Sequence, residues 1–307
     1  MKILITGGTG FTGSNIALAL ENEEHDIVVV DKDISKANAN LKGFSGEIRE
    51  ADVSTPEFWN NLTEEFDSIN HQAACVDTTV MDEVFMMNQN VEAFKMLLDW
   101  AKKNEVDVVY ASSAETYGNS PAPQKVGEGE EPLNIYGKSK LMMDQITREQ
   151  IGESPIKIIG LRYFNVYGPG ETHKGKMASM IYQLAQQMKA GNHPRIFTDG
   201  EQKRDQIYVG DVAQANILSH EAPIAASGIY NVGTGKASTF NQIVEELNEV
   251  LGTDLPPDYF ENPYDFYQEF TEADISDTKK ILGYEPKYSL KEGIGAYFCN
   301  SELRMQN

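Results

Sequence analysis

Short apolar runs and longer amphipathic stretches alternate through the first half of the chain. Ile3, Leu4 and Ile5 read as a buried strand over 2–6, and a helical pattern follows over 11–22. Val28, Val29 and Val30 centre a second strand over 26–31. A weaker third strand covers 47–51, a fourth 68–74, a fifth 106–113 and a sixth 156–162. Thr55-Pro56 reads as a helix start, with Thr as cap and Pro in the first turn. A long helix is predicted over 81–104, with Phe85, Val91, Phe94, Leu97, Leu98 and Ala101 as its apolar stripe; another helix spans 136–151. Strand–helix alternation implies an α/β fold, a doubly wound parallel sheet with helices on both faces.

The second half is less regular. Helices are expected over 177–190 and 240–251, the latter with Ser238 or Thr239 as cap and Gly252 as stop, and a short strand over 229–232. Pro256, Pro257 and Pro263 make 252–267 mostly loop. This half reads as a smaller domain closing over the sheet edge. The expected division is 1–165 and 166–307, with the chain returning to the sheet near 205–235.

Composition narrows the function classes. Lys and Arg number 26 against 47 Asp and Glu in 307 residues, a formal charge of −21. A chain this long buries roughly three quarters of its unfolded surface, so it needs no metal or disulfide to hold it. Cys75 and Cys299 are the only cysteines, too few for a disulfide framework or a multi-cysteine zinc site, and no metal is expected. The acidity argues against nucleic-acid or anionic-membrane partners. No apolar run is long enough for a membrane span, and Gly7-Gly8 interrupt the opening run before it reaches signal-peptide length. A cytoplasmic protein is the expectation. Met86 and Met87 beside the stripe of the long helix suggest a homo-oligomer.

Thr6-Gly7-Gly8-Thr9-Gly10-Phe11-Thr12-Gly13 stands between the first strand and the first helix. Glycines in such a turn let backbone N–H groups reach a pyrophosphate, and the helix N-terminus favours its charge. Asp31 ends the second strand 18 residues beyond Gly13, where a carboxylate accepts hydrogen bonds from an adenosine ribose. That carboxylate favours NAD. Lys32 and Lys36 stand close enough to pair with the extra phosphate of NADP, so both cofactors stay open. Asp52 follows the third strand, as an adenine partner or as a turn-capping residue.

Tyr136 and Lys140 lie four apart, on one helix face. A Lys ammonium beside a Tyr hydroxyl favours the phenolate, lowering a pKa that is ordinarily about 10. The phenolate then takes a proton from an alcohol as its carbon is oxidised. Roughly one such pair is expected by chance, so its context carries the weight. Ser113 provides that context: it ends the fifth strand 23 residues earlier, where such sheets bind ligands.

Together, the glycine turn, Ser112-Ser113-Ala114-Glu115-Thr116-Tyr117-Gly118, Tyr136 with Lys140, and Arg162-Tyr163-Phe164-Asn165-Val166-Tyr167-Gly168-Pro169 resemble the extended short-chain dehydrogenase/reductase superfamily over nearly the whole chain. The resemblance implies a Rossmann domain with a C-terminal substrate domain acting on a nucleotide-diphosphate sugar. Ala74-Cys75-Val76-Asp77-Thr78-Thr79, His173-Lys174-Gly175-Lys176-Met177-Ala178-Ser179, the stretch from Lys203 to Ala213 and the stretch from Tyr267 to Asp274 are similar to its ADP-glyceromanno-heptose 6-epimerases. Such enzymes oxidise C6 of the sugar and reduce it on the opposite face, with NADP or NAD as cofactor.

The resemblance implies two acid–base residues, Tyr136 and Lys174, with Lys176 contributing. Lys174 read by charge alone is equally a phosphate-binding lysine. Arg204 would clamp the pyrophosphate; otherwise it pairs with Asp205 or Glu201. Thr78, Thr79, Asn165, Phe197 and Tyr267 match substrate contacts, and Gln183 stands where some members carry His. Gln72, Ala73, Ala74, Val166 and Asn90 match cofactor-side positions, although Asn90 also reads as a plain helical Asn. Cys75 reads as a small buried hydrophobe. Glu115 keeps a dehydratase or decarboxylase open, but Ala114 lacks the proton that elimination needs. A UDP-hexose 4-epimerase shares the same core triad. A dinucleotide-binding sensor without catalysis is disfavoured, because Ser113, Tyr136 and Lys140 are all present.

Charge also has a local pattern. Residues 155–205 hold eight Lys and Arg (157, 162, 174, 176, 189, 195, 203 and 204) against four Asp and Glu (171, 199, 201 and 205), a net +4. An anionic ligand therefore meets gathered cations in spite of the overall charge.

Overall fold

The computed structural model describes residues 1–262 and 268–305, with side chains through 299 in the last helix. Its strands are β1 (Lys2–Thr6), β2 (Asp26–Asp31), β3 (Glu47–Glu50), β4 (Ser68–His71), β5 (Asp107–Ser113), β6 (Ile158–Tyr163), β7 (Asn165–Tyr167), β8 (Arg195–Phe197), β9 (Lys203–Tyr208), β10 (Gly228–Val232), β11 (Ala237–Thr239) and β12 (Asp258–Phe260). Among the described residues, seven parallel strands form one sheet in the order β10-β6-β5-β4-β1-β2-β3. Alternate side chains feed two cores. Leu4, Val28, Val30, Ile69 and Val108 pack with Phe94, Leu97 and Leu98. Ile3, Ile5 and Val29 pack on the other face with Ile16, Ala17 and Leu20. Burial on both faces is why the strands read as continuous apolar runs. Chain order reverses between β1 and β4, which opens a crevice at their C-terminal ends.

One long helix departs from expectation. It runs as Glu83–Met87, a π-turn over Asn88–Glu92, and Ala93–Lys103. A π-turn inserts about one residue and rotates the preceding turn by roughly 100°. Met86 is therefore fully buried, and Phe85, expected in the stripe, is 44% exposed. Met86 fills the core, so it no longer argues for an oligomer; the exposed apolar residues there are Met81, Val84 and Phe85. The fourth strand stops at His71; Gln72 N–H still reaches Thr6 O, at 3.0 Å, before the chain crosses the Gly7 turn.

After β6 the chain builds a second module. β7 and β11 flank β9, and β8 pairs with β12, a strand lying within the segment expected to be loop. Ile181, Leu184 and Met188 of helix Met180–Lys189 share a core with Ile243 and Leu247 of Phe240–Leu251 and Ile294 of Leu290–Met305. Thr239 and Gln242 form a reciprocal capping box, and Gly252 takes the left-handed stop at φ 66°. Helix Val209–Glu221 returns to the sheet, packing Ala213 against Ile16 and Ala17, and β10 joins the edge beside β6. No described helix is long and apolar enough to cross a membrane.

Candidate active site

The crevice is a cleft of about 460 Å³. Its floor is the turn after β1. Gly7 has φ +67°, and a Cβ there would lie 2.6 Å from the Ala73 nitrogen; at Gly13 it would lie 2.3 Å from the Gly7 carbonyl. Only glycine lets residues 72–74 cross the turn and helix Phe11–Asn22 seat on it. The first intrahelical bond runs from Ser14 N–H to Gly10 O at 3.0 Å. The N–H groups of Phe11, Thr12 and Gly13 thus start the helix without a partner carbonyl, at the cleft wall. This arrangement fits a pyrophosphate.

At the adenosine end, the Asp31 carboxylate accepts from Thr9 N–H at 3.2 Å and Thr9 Oγ1 at 2.7 Å. Lys32 donates to Gln89 at 3.4 Å, and Lys36 pairs with Asp33 at 3.1 Å. Asp52 lines the cleft and also makes the turn bonds, accepting from Ser54 N–H and Oγ at 2.9 and 2.6 Å. Burial would raise the Asp52 carboxyl, but those bonds and Lys32 hold it below its usual value. Gly7, Gly10, Phe11, Thr12, Gly13, Asp31, Lys32, Lys36, Asp52, Gln72, Ala73, Ala74, Val166 and Lys174 all line the cleft. Asn90 does not. It is wholly buried, bonding Cys75 N–H, Cys75 O and Ser139 Oγ, while the π-turn presents Gln89 instead. Tyr163, Phe164, His173, Met177, Ser54 and Gln89 also line the cleft. The first four stand within the stretches that carried the family resemblance; Ser54 and Gln89 had no signal.

Opposite the turn stand Ser113, Tyr136 and Lys140. Asn134 caps helix Ile135–Gln150 by accepting from Gly137 N–H at 2.7 Å, and it donates to Glu115 at 2.9 Å. Lys140 is 2% exposed; its Nζ donates to the Ala111 carbonyl at 2.8 Å and lies 5.9 Å from the Tyr136 ring centre. Burial lowers Lys140 to about 8 against the support of Asp144. Burial pushes Tyr136 up to about 12, opposed by a hydrogen bond with Ser113 and reinforced by Glu115 and Cys75. The expected lowering of Tyr136 by Lys140 is therefore absent in the protein alone. Desolvation of the phenol is the largest influence on it, and Lys140 is not among the groups that shift it.

Asp144, one turn beyond Lys140, is fully buried. It accepts from Tyr110 at 2.8 Å, Ser112 at 2.9 Å and Arg162 Nε at 2.8 Å. Buried Arg162 also pairs with Glu130 at 2.8 Å and stacks on Tyr117 at 4.8 Å.

From the far side, loop 168–179 brings Lys174 to the cleft, its Nζ 5.2 Å from the Phe11 ring centre. Burial lowers its pKa, and Glu171 opposes the shift.

Among the described residues, the expected substrate residues other than Ser113 do not line this cleft. Thr79 bonds Asp77, and Thr78 stands next to it. Lys176 is exposed, and Gln183 holds its carbonyl at 3.3 Å and that of Ala178 at 2.7 Å. Asn165 donates to Asp205 O and Thr271 Oγ1 at 3.1 and 3.3 Å. Phe197 meets Phe260 edge-on at 4.9 Å. Arg204 is 8% exposed, with Nη1 on Lys203 O at 2.8 Å, so it is no surface residue. The Asp205 carboxylate is taken by Thr234, Gly235 and Ala273. Tyr267 lies outside the described residues. Cys75 is half-buried. No cluster among the described residues suits a metal ion.

Residues 3–233 match the NAD dependent epimerase/dehydratase family. The chain is similar to the ADP-L-glycero-D-manno-heptose-6-epimerase of Helicobacter pylori, at 42% identity over 98% of this chain and 96% of that one, with a TM-score of 0.91. The UDP-glucose 4-epimerase of Thermotoga maritima with UDP-glucose is 29% identical over 99% and 100% of the two chains, at TM-score 0.89. A Thermus thermophilus UDP-glucose 4-epimerase complexed with NAD is 27% identical over 97% of each, at TM-score 0.83.

Proposed function

The chain belongs to the NAD dependent epimerase/dehydratase family and has its nucleotide-sugar epimerase fold, and from that premise we propose that it inverts C6 of an ADP-glyceromanno-heptose. One observation carries the reading: Ser113, Tyr136 and Lys140 face the same cleft as Lys174, above the glycine turn. The two stretches similar to heptose 6-epimerases, 74–79 and 173–179, both reach that cleft, through Ala74, Val76, His173, Lys174 and Met177.

The N–H groups of Phe11, Thr12 and Gly13 would hold the cofactor pyrophosphate, and Asp31 the adenosine ribose. A nicotinamide held there would supply the oxidation and re-reduction of the sugar carbon. Tyr136 moves the hydroxyl proton on one face while Ser113 shares that oxygen. Lys174 serves the opposite face, where desolvation suits it to give up a proton. Arg204, Lys176, Asn165, Gln183, Phe197 and Tyr267 would close on the nucleotide-sugar from the second module, and Thr78 and Thr79 from the segment after β4. Residues 1–165 with 209–232 form the cofactor half, and the rest holds the substrate.

We read the cofactor as NAD rather than NADP. Thr9 pins the Asp31 carboxylate at the ribose end, and Lys36 is engaged by Asp33. Epimerisation is favoured over elimination, since Glu115 does not line the cleft and its carboxylate accepts from Asn134. A cytoplasmic homo-oligomer remains part of the reading, the latter resting on exposed Met81, Val84 and Phe85 and tested by light scattering.

The test is incubation of the purified protein with ADP-D-glycero-D-manno-heptose and, separately, UDP-glucose, with products resolved by NMR. Inversion at C6 of the heptose is expected. Turnover of UDP-glucose alone would overturn the substrate in favour of 4-epimerisation, and turnover of neither would refute epimerisation of both sugars.

A further inference from the structure

Loop 168–179 is closed across its base by a single carboxylate. Glu171 is fully buried. It accepts from Gly168 N–H at 3.2 Å, from Ser179 N–H at 2.5 Å and from Ser179 Oγ at 2.9 Å. Its own carbonyl accepts from Lys174 N–H at 2.9 Å. Ser179 in turn caps helix Met180–Lys189 through Tyr182 N–H. That is why this helix begins three residues later than the apolar pattern suggests. Asn15 fastens the other side of the loop, donating to Pro169 O and Phe11 O, both at 2.8 Å.

A buried carboxylate is costly unless it is hydrogen-bonded, and here three donors from the loop ends satisfy it. An amide would also satisfy part of the staple, so closure alone does not require charge. Charge matters to the one half-buried cation in the loop, Lys174; His173 and Lys176 are exposed. We propose that Glu171 is the positioning residue of Lys174, closing the loop that carries it into the cleft and setting a buried carboxylate at the base of that loop. The proposal deepens the two-base reading above and rests on Lys174 having that role.

Several groups face this pair. His173 and Lys176 share the loop, and Lys36 and Asp31 approach from the adenosine end, where they act on His173. The Tyr297 hydroxyl, from the last helix, feels Glu171 along with Tyr182 and Tyr208. Phe11 supplies a ring face but no charge. Glu171 is the carboxylate that opposes the burial of Lys174.

Trace acetylation with acetic anhydride across pH, read at Lys174 by peptide mass spectrometry, gives both its titration midpoint and its accessibility. Glu171→Gln removes the charge and is expected to lower the midpoint by about one unit. Ser179→Ala removes one donor and leaves the charge; the midpoint should hold while labelling becomes several-fold faster. Circular dichroism checks the fold of each variant. A wild-type midpoint in folded Glu171→Gln overturns the proposal. Where that variant does not fold, a wild-type labelling rate in Ser179→Ala overturns it. No substrate is needed, so failure of heptose turnover leaves this outcome separately readable. With turnover in hand, the Lys174 limb of the kcat/KM profile should move to lower pH in Glu171→Gln.

Discussion

Asp144→Asn should be among the most damaging single-atom changes in this protein. The native carboxylate receives hydrogen bonds from Tyr110, Ser112 and Arg162, and both it and Arg162 are wholly buried. Breaking a buried ion pair from one side costs about 3–5 kcal/mol, because the other charge is left uncompensated. Glu130 still pairs with Arg162 at 2.8 Å, and Tyr117 still stacks on it, which places the loss near the lower bound. At about 2 °C per kcal/mol for a chain of this size, the melting temperature should fall by roughly 6 °C. The cost arises from stranded charge, so the double variant Asp144→Asn/Arg162→Met should recover part of it. Calorimetry on these two variants, on Arg162→Met alone and on the parent decides the matter. A fall under about 2 °C, or a double variant worse than the sum of the singles, would refute this account of the network. A second consequence is functional. Asp144 supports the Lys140 ammonium, which burial has already brought down to about 8. In Asp144→Asn the Lys140 midpoint should fall further, and the alkaline side of any activity profile should change with it.

Three further outcomes follow from the same geometry. Tyr136→Phe should reduce turnover by about 10²- to 10⁴-fold with cofactor affinity nearly unchanged; titration of the phenolate absorbance in the cofactor-free protein should place Tyr136 near 12, and a midpoint near 7 there would contradict the dominance of burial. Burial holds His71 and His220 down to about 3, from an ordinary 6.5. Between those values the unfolded chain binds protons that the folded one refuses, so stability should fall on acidification below about 6.5. The slope should approach ~2.7 kcal/mol per pH unit for the two histidines. His220→Gln should halve it, and an unchanged slope by chemical unfolding would exclude His220 as a source. Asp31→Asn should lower the KM for NADP relative to NAD, and an unaltered ratio would remove Asp31 as the discriminating residue.

Much of the cofactor half can be read along the chain because its determinants are local. Gly13 is required by a contact within one turn and Gly7 by its positive φ, and Asp31 follows from the length of a strand. Lys140 lies one helical turn from Tyr136, so the pair is visible as a spacing. Asn90 and Phe85 were misplaced by a single π-turn, which no hydrophobic period announces. The substrate positions are harder. Arg204, Asn165 and Phe197 belong to short strands paired over long sequence separations, and whether they reach the cleft depends on how two modules meet.

By itself the sequence determined the parallel sheet, the glycine-rich turn after β1 and which side chains are candidates for the chemistry. The sheet and the turn follow from backbone sterics and from a period of two or 3.6 residues; Ser113, Tyr136 and Lys140 stand out by spacing and context, and Lys174 by the family resemblance alone. Tertiary structure alone decided protonation and orientation. Tyr136 is high and Lys140 low because desolvation penalises the charged form of each, and desolvation depends on what the rest of the chain places around them. It also placed Glu171 behind Lys174 and Asp144 behind Lys140. Spacing along the chain cannot show such support, since a charge acts through the desolvated space around it and not along the backbone.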